Sequence, residues 1–351
     1  MSKKNSNVQN LKSTLINNKK IFKIFSSFKS MLEKSIGKKP FAVAVSGGPD
    51  SLALAALSQL YKYENKNKIF FLLIDHGIRK NSESEAKSVK SLLKKSKIYL
   101  KILTNKEKIH KDIQNSARKI RYKLLSNFCY EKKCRFLLTG HHSDDQVETF
   151  LIRLSRGSGI QGLSSMSNIS NLSKRVKLLR PLLDTKKKDL VAIAKKVFKK
   201  IIHDPSNKDQ KYLRTKIRRL TKILEKSGIS HEQIIRSINN LSSSKDTLNK
   251  YLNHVVSECL TKKHNEVRID LKKLFLETHE IRFKVISYGI KNLSKSYYPP
   301  RTKKITNLIK SLSLKKNTKH TLGGCILEQF NSNLIIYKER AKKKQKSINF
   351  Y

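Results

Sequence analysis

The stretch FAVAVSGGPDSLALAALSQL, residues 41–60, decides how the rest of the chain is read. Phe41 to Val45 is a short apolar run with the character of a buried strand, and Leu52 to Leu60 carries the small and apolar residues of a packed helix. Between them, Gly47 and Gly48 let the backbone approach an anion closely, Ser46 and Ser51 bring hydroxyl donors, and Pro49 suits the first turn of a helix. A strand, a glycine turn and a helix N-terminus in this order aim backbone N–H groups and the helix dipole at one point, which makes a phosphate cradle. No Lys follows the glycines, so this is not a Walker A loop. Asp50 would repel phosphate unless it caps the helix or holds Mg2+, so a metal–nucleotide complex is the expected occupant. An ordinary glycine turn with a polar cap is the bland alternative.

Working outward, further strands are expected at Ile69 to Ile74, Ile98 to Leu103 and Phe136 to Thr139, with helical segments between them. That alternation predicts an α/β fold, a Rossmann-like parallel sheet with flanking helices, whose ligand sits beyond the carboxyl ends of the strands. Residues 39–204 form this catalytic domain. Residues 1–38 are a basic extension with one amphipathic helix, Ile21 to Ile36, packed on the domain. After Pro181 the chain turns helical and basic, through Lys186 to Lys200 and Leu213 to Lys226, and 205–250 reads as a helical connector with a break at Ser242 to Ser244. Residues 251–340 form a small α+β domain. It ends in a β-hairpin, Cys325 to Phe330 and Leu334 to Tyr337 about Asn331, Ser332 and Asn333, and 341–351 is a basic tail.

The 351 residues carry 77 Lys and Arg against 26 Asp and Glu, a net charge of +51, and 38% are hydrophobic, enough to bury a core. Such an excess favours a polyanion partner, nucleic acid being the expected one; compositional drift is the alternative, since Lys far outnumbers Arg. No apolar run approaches the ~20 residues of a membrane span, and MSKKNSNVQN has no hydrophobic leader core, so no membrane association and a cytoplasmic location are expected. Cys129, Cys134, Cys259 and Cys325 include no C-x-x-C pair and are expected to be reduced and buried.

Three more segments carry chemistry. Asp75-His76-Gly77-Ile78-Arg79 ends the second strand. Asn115, Arg118, Arg121 and Tyr122 are spaced so that one helix face presents two guanidiniums, suited to triphosphate or RNA phosphate; a solvated basic face is the alternative. His141-His142-Ser-Asp144-Asp145-Gln146-Val-Glu148-Thr149 should cap the fourth strand and open a helix. So many ionisable groups there need a cation or a charged ligand, and a zinc site is a weaker reading because no C-x-x-C accompanies it.

SGGPDS after AVAV resembles the loop of the PP-loop ATP pyrophosphatases. That resemblance implies ATP as substrate, a grip on its β,γ-pyrophosphate and an acceptor oxygen attacking the α-phosphate. Within the superfamily, D-H-G-x-R, N-x-x-R-x-x-R-Y and H-H-x-D-D-x-x-E-T resemble the tRNA(Ile)-lysidine synthases. So do Gly157, Gly159, Gly162, Leu163 and Met166, then Arg180-Pro-Leu-Leu, then Asp204-Pro-Ser206-Asn207 with Arg214 and Arg218. Thr215 stands where that family usually has Asn. The resemblance runs from Phe41 to about Arg218 and only loosely covers 251–340; longer members carry an additional C-terminal domain that this sequence is expected to lack.

The resemblance implies ligation of free L-lysine to C2 of cytidine 34 in the CAU anticodon of tRNA(Ile), through an adenylated intermediate. It implies ATP binding by Ser46, Gly47, Gly48, Pro49, Asp50, Ser51, Asp75 and Arg118, lysine binding by Asp145 and Glu148, and tRNA contacts at Arg121, Arg214 and Arg218. Asp50 and Asp144 are the candidate Mg2+ ligands, and Asp50, His141, Asp144 and Asp145 the catalytic candidates, with the general base open among the last three. Oligomeric state stays open, a homodimer included. The rivals are a PP-loop cytidine thiolase, a PP-loop amidotransferase or amino-acid ligase, and a basic RNA-binding protein without catalysis.

Overall fold

Phe41, Ala42 and Val43 are 0% exposed, because a strand that is apolar on both faces is stable only where both faces are covered. In the computed structural model they form β1 (Phe41–Ala44), with β2 (Ile69–Asp75) and β4 (Phe136–Leu138) paired in parallel on either side. The structure describes Leu15 and residues 17–78, 81–107, 112–199, 213–294, 302–314 and 318–339. β3 (Leu100–Thr104) lies parallel outside β2, and β6 (Lys177–Leu179) parallel outside β4. β5 (Ile169–Asn171) closes that edge antiparallel, giving the order β3-β2-β1-β4-β6-β5. Strand order reverses between β1 and β4, so the crevice at their carboxyl ends is the place for a ligand.

α1 (Lys19–Ser35) is capped by the Asn18 side chain, which accepts from the Lys20 and Ile21 N–H groups at 3.0 and 3.1 Å. Its Ile21, Phe25, Phe28 and Leu32, three or four residues apart, enter one core with α2 (Pro49–Asn65), and Phe28 meets Tyr61 edge-on at 6.4 Å. α2 is buried from Ser51 to Tyr61, its small residues Ala53, Ala55, Ala56 and Ser58 permitting approach on every side. α3 (Ser82–Lys95), α4 (Ile113–Glu131), α5 (Ser143–Leu154), the short α6 (Ile160–Leu163) and α7 (Lys187–Phe198) complete the layers. α8 (Leu213–Lys226) follows, with Ile217 packed among Val147 and Leu151 of α5 and Ile234 and Ile238 of α9 (His231–Cys259).

The chain forms two compact units that divide between Ser242 and Ser243. The second holds an antiparallel sheet of β7 (Leu260–Lys262), β8 (Glu266–Asp270), β9 (Lys319–Leu322), β10 (Cys325–Phe330) and β11 (Asn333–Lys338), in the order β7-β8-β11-β10-β9. α10 (Leu271–Phe275), α11 (His279–Leu293) and α12 (Thr302–Leu314) accompany it, and Val267, Ile269, Leu327, Leu334 and Ile336 share a core with Ile286, Ile290 and Ile305.

The sheet is mostly parallel with flanking helices, as expected; only β5, paired antiparallel with β6 at the edge, departs, and these three-residue strands are too short to show alternation in the sequence. Two expectations are corrected. The break at Ser242 to Ser244 is absent: α9 runs through it. Ser costs only a few tenths of a kcal/mol in a helix interior, and apolar anchors on both sides, Ile234 and Ile238 before and Val255 after, outweigh that. The terminal hairpin turns on two residues, since Asn333 already pairs with Phe330 and Asn331 takes the left-handed φ of 52°. The segment around Asp204, Ser206 and Asn207 and the tail 341–351 lie outside the described residues. No helix among the described residues is long and apolar enough to cross a membrane.

Candidate nucleotide and acceptor site

β1 ends in the serine–glycine loop, which its own hydroxyls hold in shape. The Ser46 N–H donates to Ser51 Oγ at 3.0 Å and Ser51 Oγ donates to the Gly48 carbonyl at 2.9 Å. Gly47 has φ +87°, and a Cβ there would stand 2.7 Å from Val89 Cγ2, so both conformation and space demand glycine. Gly48 is the N-cap of α2 and Pro49 its first residue. The loop opens on a cavity of about 480 Å³. From the loop come Ser46, Gly47, Gly48, Asp50 and Ser51; from β2 and its end, Asp75 and His76. α4 adds Arg118, Arg121 and Tyr122, the end of β4 adds Thr139, Gly140 and His141, and α8 adds Arg214. Gly140 lets β4 abut the loop: a Cβ there would lie 2.9 Å from the Asp50 carbonyl oxygen.

Arg121 Nε donates to His76 Nε2 at 3.4 Å, and the Arg118 guanidinium lies 5.1 Å from the Tyr122 ring centre. Burial first, then the Arg121 charge, lowers the His76 pKa, so its Nε2 is free to accept.

The two neighbouring histidines have their pKa values pushed in opposite directions. His141 lines the cavity, with Nδ1 2.8 Å from Thr139 Oγ1. Burial, and the guanidiniums of Arg180, Arg118 and Arg214 against the opposing charge of Asp145, push it down to about 4, a neutral imidazole at physiological pH. His142 faces away, 2% exposed, among three carboxylates. Its Nε2 lies 3.6 Å from Asp50 Oδ2 and 3.5 Å from Asp145 Oδ2, and its Nδ1 3.6 Å from Asp144 Oδ2. Burial works against its proton, but the charges of Asp144, Asp50 and Asp145 prevail and hold it at about 9, an imidazolium. The His142 N–H also donates to Asp145 Oδ2 at 3.1 Å, and the Lys187 N–H to Asp144 Oδ2 at 2.9 Å. Burial pushes the Asp144 carboxyl up, yet His142 and the Lys187 N–H hold it well below the usual carboxylate range.

His142 was not among the expected site residues. The signal lay in the doublet itself: two residues in succession on extended backbone point to opposite faces, so one ring that enters the cavity sends the other behind it.

Pro49, Asp144, Asp145, Glu148 and Arg218 are not among the cavity-lining residues. Glu148 is 4% exposed and accepts from Arg218 Nε at 2.5 Å, while its Oε2 is buried without a partner. Two residues assigned to different ligands thus share one ion pair. Among the described residues no group of three or more His, Cys, Asp or Glu side chains is arranged to hold a metal ion. Asp50 Oδ1, on a cavity-lining residue, is buried without a partner and suits a cation shared with phosphate oxygens. Asp144 is turned to His142 and Lys187 instead. All four cysteines are buried and none lines the cavity; burial pushes the Cys129 thiol up to about 12 and Cys134 to about 11.

Residues 19–224 match the PP-loop domain family, so the chain belongs to that family of ATP-using proteins. It is 37% identical over 310 residues to the tRNA(Ile)-lysidine synthase of Orientia tsutsugamushi (strain Boryong), covering 85% of this chain and 69% of that protein. It is 34% identical over 313 residues to the tRNA(Ile)-lysidine synthase of Wolbachia pipientis wMel, covering 88% and 72%. Within the PP-loop proteins the chain is a member of the tRNA(Ile)-lysidine synthase family, and an ATP-using ligase. Among solved structures, a U34-tRNA thiolase from Methanococcus maripaludis shares the fold at a TM-score of 0.52, with 22% identity and coverage of 63% of this chain and 79% of that one.

Proposed function

We propose that this protein joins free L-lysine to C2 of cytidine 34 in the CAU anticodon of tRNA(Ile), using ATP and releasing AMP and pyrophosphate in the cytoplasm. The observation that carries the reading is the abutment of the phosphate loop on the end of β4, which sets an anion cradle beside a neutral histidine and a carboxylate cluster.

ATP lies with its pyrophosphate on the loop, on the Ser46 and Ser51 hydroxyls and the N-terminus of α2. Asp50 would hold Mg2+, which would neutralise charge on the phosphates. The C2 carbonyl oxygen bonds to the α-phosphorus as the bond to pyrophosphate breaks, and pyrophosphate leaves with that electron pair. The lysine ε-amine, once it has lost a proton, bonds to C2; the C2–O bond breaks and AMP leaves with its electrons. His141 is the base for that proton, since it lines the cavity, whereas Asp144 does not and is turned to His142 and the Lys187 N–H. Asp145 and Glu148 favour the lysine ammonium groups through their negative charge, without lining the cavity. Arg121 and Arg214, at the cavity, contact the tRNA, and Arg218 follows Arg214 by four residues on α8. The cytidine must leave the anticodon stack to enter.

A thiolase reading on the same fold has less support, because the cysteines are buried, away from the cavity, and high in pKa. Incubation with ATP, radiolabelled lysine and transcripts of isoleucine and initiator CAU tRNAs tests the proposal. Label should enter only the isoleucine transcript, with AMP formed when both lysine and tRNA are present; AMP formation independent of lysine would sink it.

A further inference from the structure

Arg180 directly follows β6, level in the sheet with the end of β4: Leu179 pairs with Leu138, and its carbonyl accepts from the Thr139 N–H at 3.0 Å. It therefore stands at the carboxyl ends of the strands, where β4 delivers His141. Its Nη1 donates to the Ser167 carbonyl at 2.8 Å and to Ser170 Oγ at 3.0 Å, both neutral, and its Nε is buried with no hydrogen-bond partner among the described residues. The residue is 8% exposed. Among the described residues the groups that bear on its charge are the Tyr122 phenol and the Arg118 guanidinium, with no carboxylate. A buried guanidinium without a counter-ion costs several kcal/mol, a cost that an anion bound nearby reduces.

Arg118 and Arg214 line the cavity, and with Arg180 they bear on the same ring, His141, against Asp145 alone. Gly140 packs against Asp50, so this positive end adjoins the phosphate loop. A triphosphate with its pyrophosphate on the loop brings its next phosphate here.

We propose that Arg180 is a positioning residue for adenylyl transfer, the fixed buried charge behind an anion subsite that Arg118 and Arg214 line and that holds the α-phosphate of ATP. This rests on the ATP-dependent reading of the cavity given above. Arg180 does not line the cavity and acts through His141 and Arg118, which do. When the acceptor oxygen bonds to the α-phosphorus and pyrophosphate departs, the non-bridging oxygens stay in this subsite. When the amine displaces the phosphoryl oxygen from C2, the departing electron pair becomes charge on AMP in the same place. Both departures are thereby eased.

The test compares R180Q, which keeps donors toward Ser167 and Ser170 and loses the charge, with R180K, which keeps the charge, both in the full chain. R180Q should weaken AMP binding about tenfold and lower kcat about tenfold, with affinity for inorganic pyrophosphate and KM for ATP changed less than about threefold. R180K should bind AMP within about threefold of the wild type. Wild-type AMP affinity in R180Q, or equal loss of AMP and pyrophosphate, overturns the proposal. If R180Q does not fold, a folded R180K that has lost AMP affinity overturns it and one that retains it supports it. A wild-type protein making no AMP in response to tRNA and lysine sinks the functional reading instead, whereas an active wild type with an unimpaired R180Q sinks only the role of Arg180.

Discussion

At the scale of single residues, Asp50 joins the two halves of the site. It lines the cavity, its Oδ2 faces His142 at 3.6 Å, and its Oδ1 is buried and unpartnered. Asp50→Ala should lower AMP formation at least about 100-fold, measured by nucleotide chromatography, through loss of the carboxylate proposed to hold phosphate-bound Mg2+; retained turnover would refute that role. The histidine pair yields a pH prediction of opposite signs. His142 has its folded pKa raised from 6.5 to about 9, so its contribution is fully present below pH 6.5 and is lost as pH rises through about 9. His141 has its folded pKa lowered from 6.5 to about 4, so the unfolded chain takes the proton more readily and stability is lost as pH falls from 6.5 toward 4. Asp144, held below its ordinary value, adds loss on the acid side as pH falls through its folded pKa. Thermal unfolding should therefore be hardest near pH 6.5, and His142→Gln should flatten the limb between 6.5 and 9, worth on the order of 3 kcal/mol. An alkaline limb as steep as in the wild type would contradict the imidazolium. The sequence displayed both histidines; which of them is charged depends on three carboxylates brought from two elements, and no spacing reveals that.

At the scale of elements, the strand–loop–helix unit was legible because its chemistry is local: a two-sided apolar strand, glycines where backbone approach requires them, and small residues in a helix buried all round. The segments that misled were those decided by tertiary contact. Ser242 to Ser244 are helical because of the apolar anchors before and after them, and β5 and β6 pair because a neighbouring strand is there to receive them. The pairing of Glu148 with Arg218 likewise needs α5 and α8 side by side, 70 residues apart in sequence. The approach of β4 to α2 is the element contact on which the site depends most directly. Gly140→Ala would set a Cβ 2.9 Å from Asp50 O, 3.1 Å from Asp50 C and 3.3 Å from Ser51 N, all backbone. Relief requires shifting the loop, so the substitution should cost about 1–3 kcal/mol and weaken ATP binding by at least about tenfold in equilibrium dialysis. Gly77→Ala is the control: φ is +64° but nothing lies within 4 Å, so only the backbone cost of about 1 kcal/mol is expected. Equal effects from both would mean that the approach of β4 to the loop is not what shapes the phosphate site.

At the scale of the whole molecule, a net charge of +51 is far more than one cavity uses. Three guanidiniums bear on His141 and two more, Arg121 and Arg218, are engaged with His76 and Glu148, which leaves most of the 77 basic residues without a part in the chemistry. Charge that holds RNA releases counter-ions on binding, and charge that merely reflects composition does not, so ionic strength separates the two. If tRNA binding neutralises about five phosphates, affinity should fall several hundred-fold between about 50 and 200 mM salt. On the proposed reading ATP is gripped by loop N–H groups, hydroxyls and a few arginines, and its affinity should fall less than about tenfold over the same range. The measurement is a filter-binding titration of tRNA beside equilibrium dialysis of ATP at four salt concentrations. A steep slope for tRNA with a shallow one for ATP assigns the excess charge to the RNA. A tRNA slope as shallow as that for ATP would mean that few of the lysines touch phosphate, and that the surface charge is compositional.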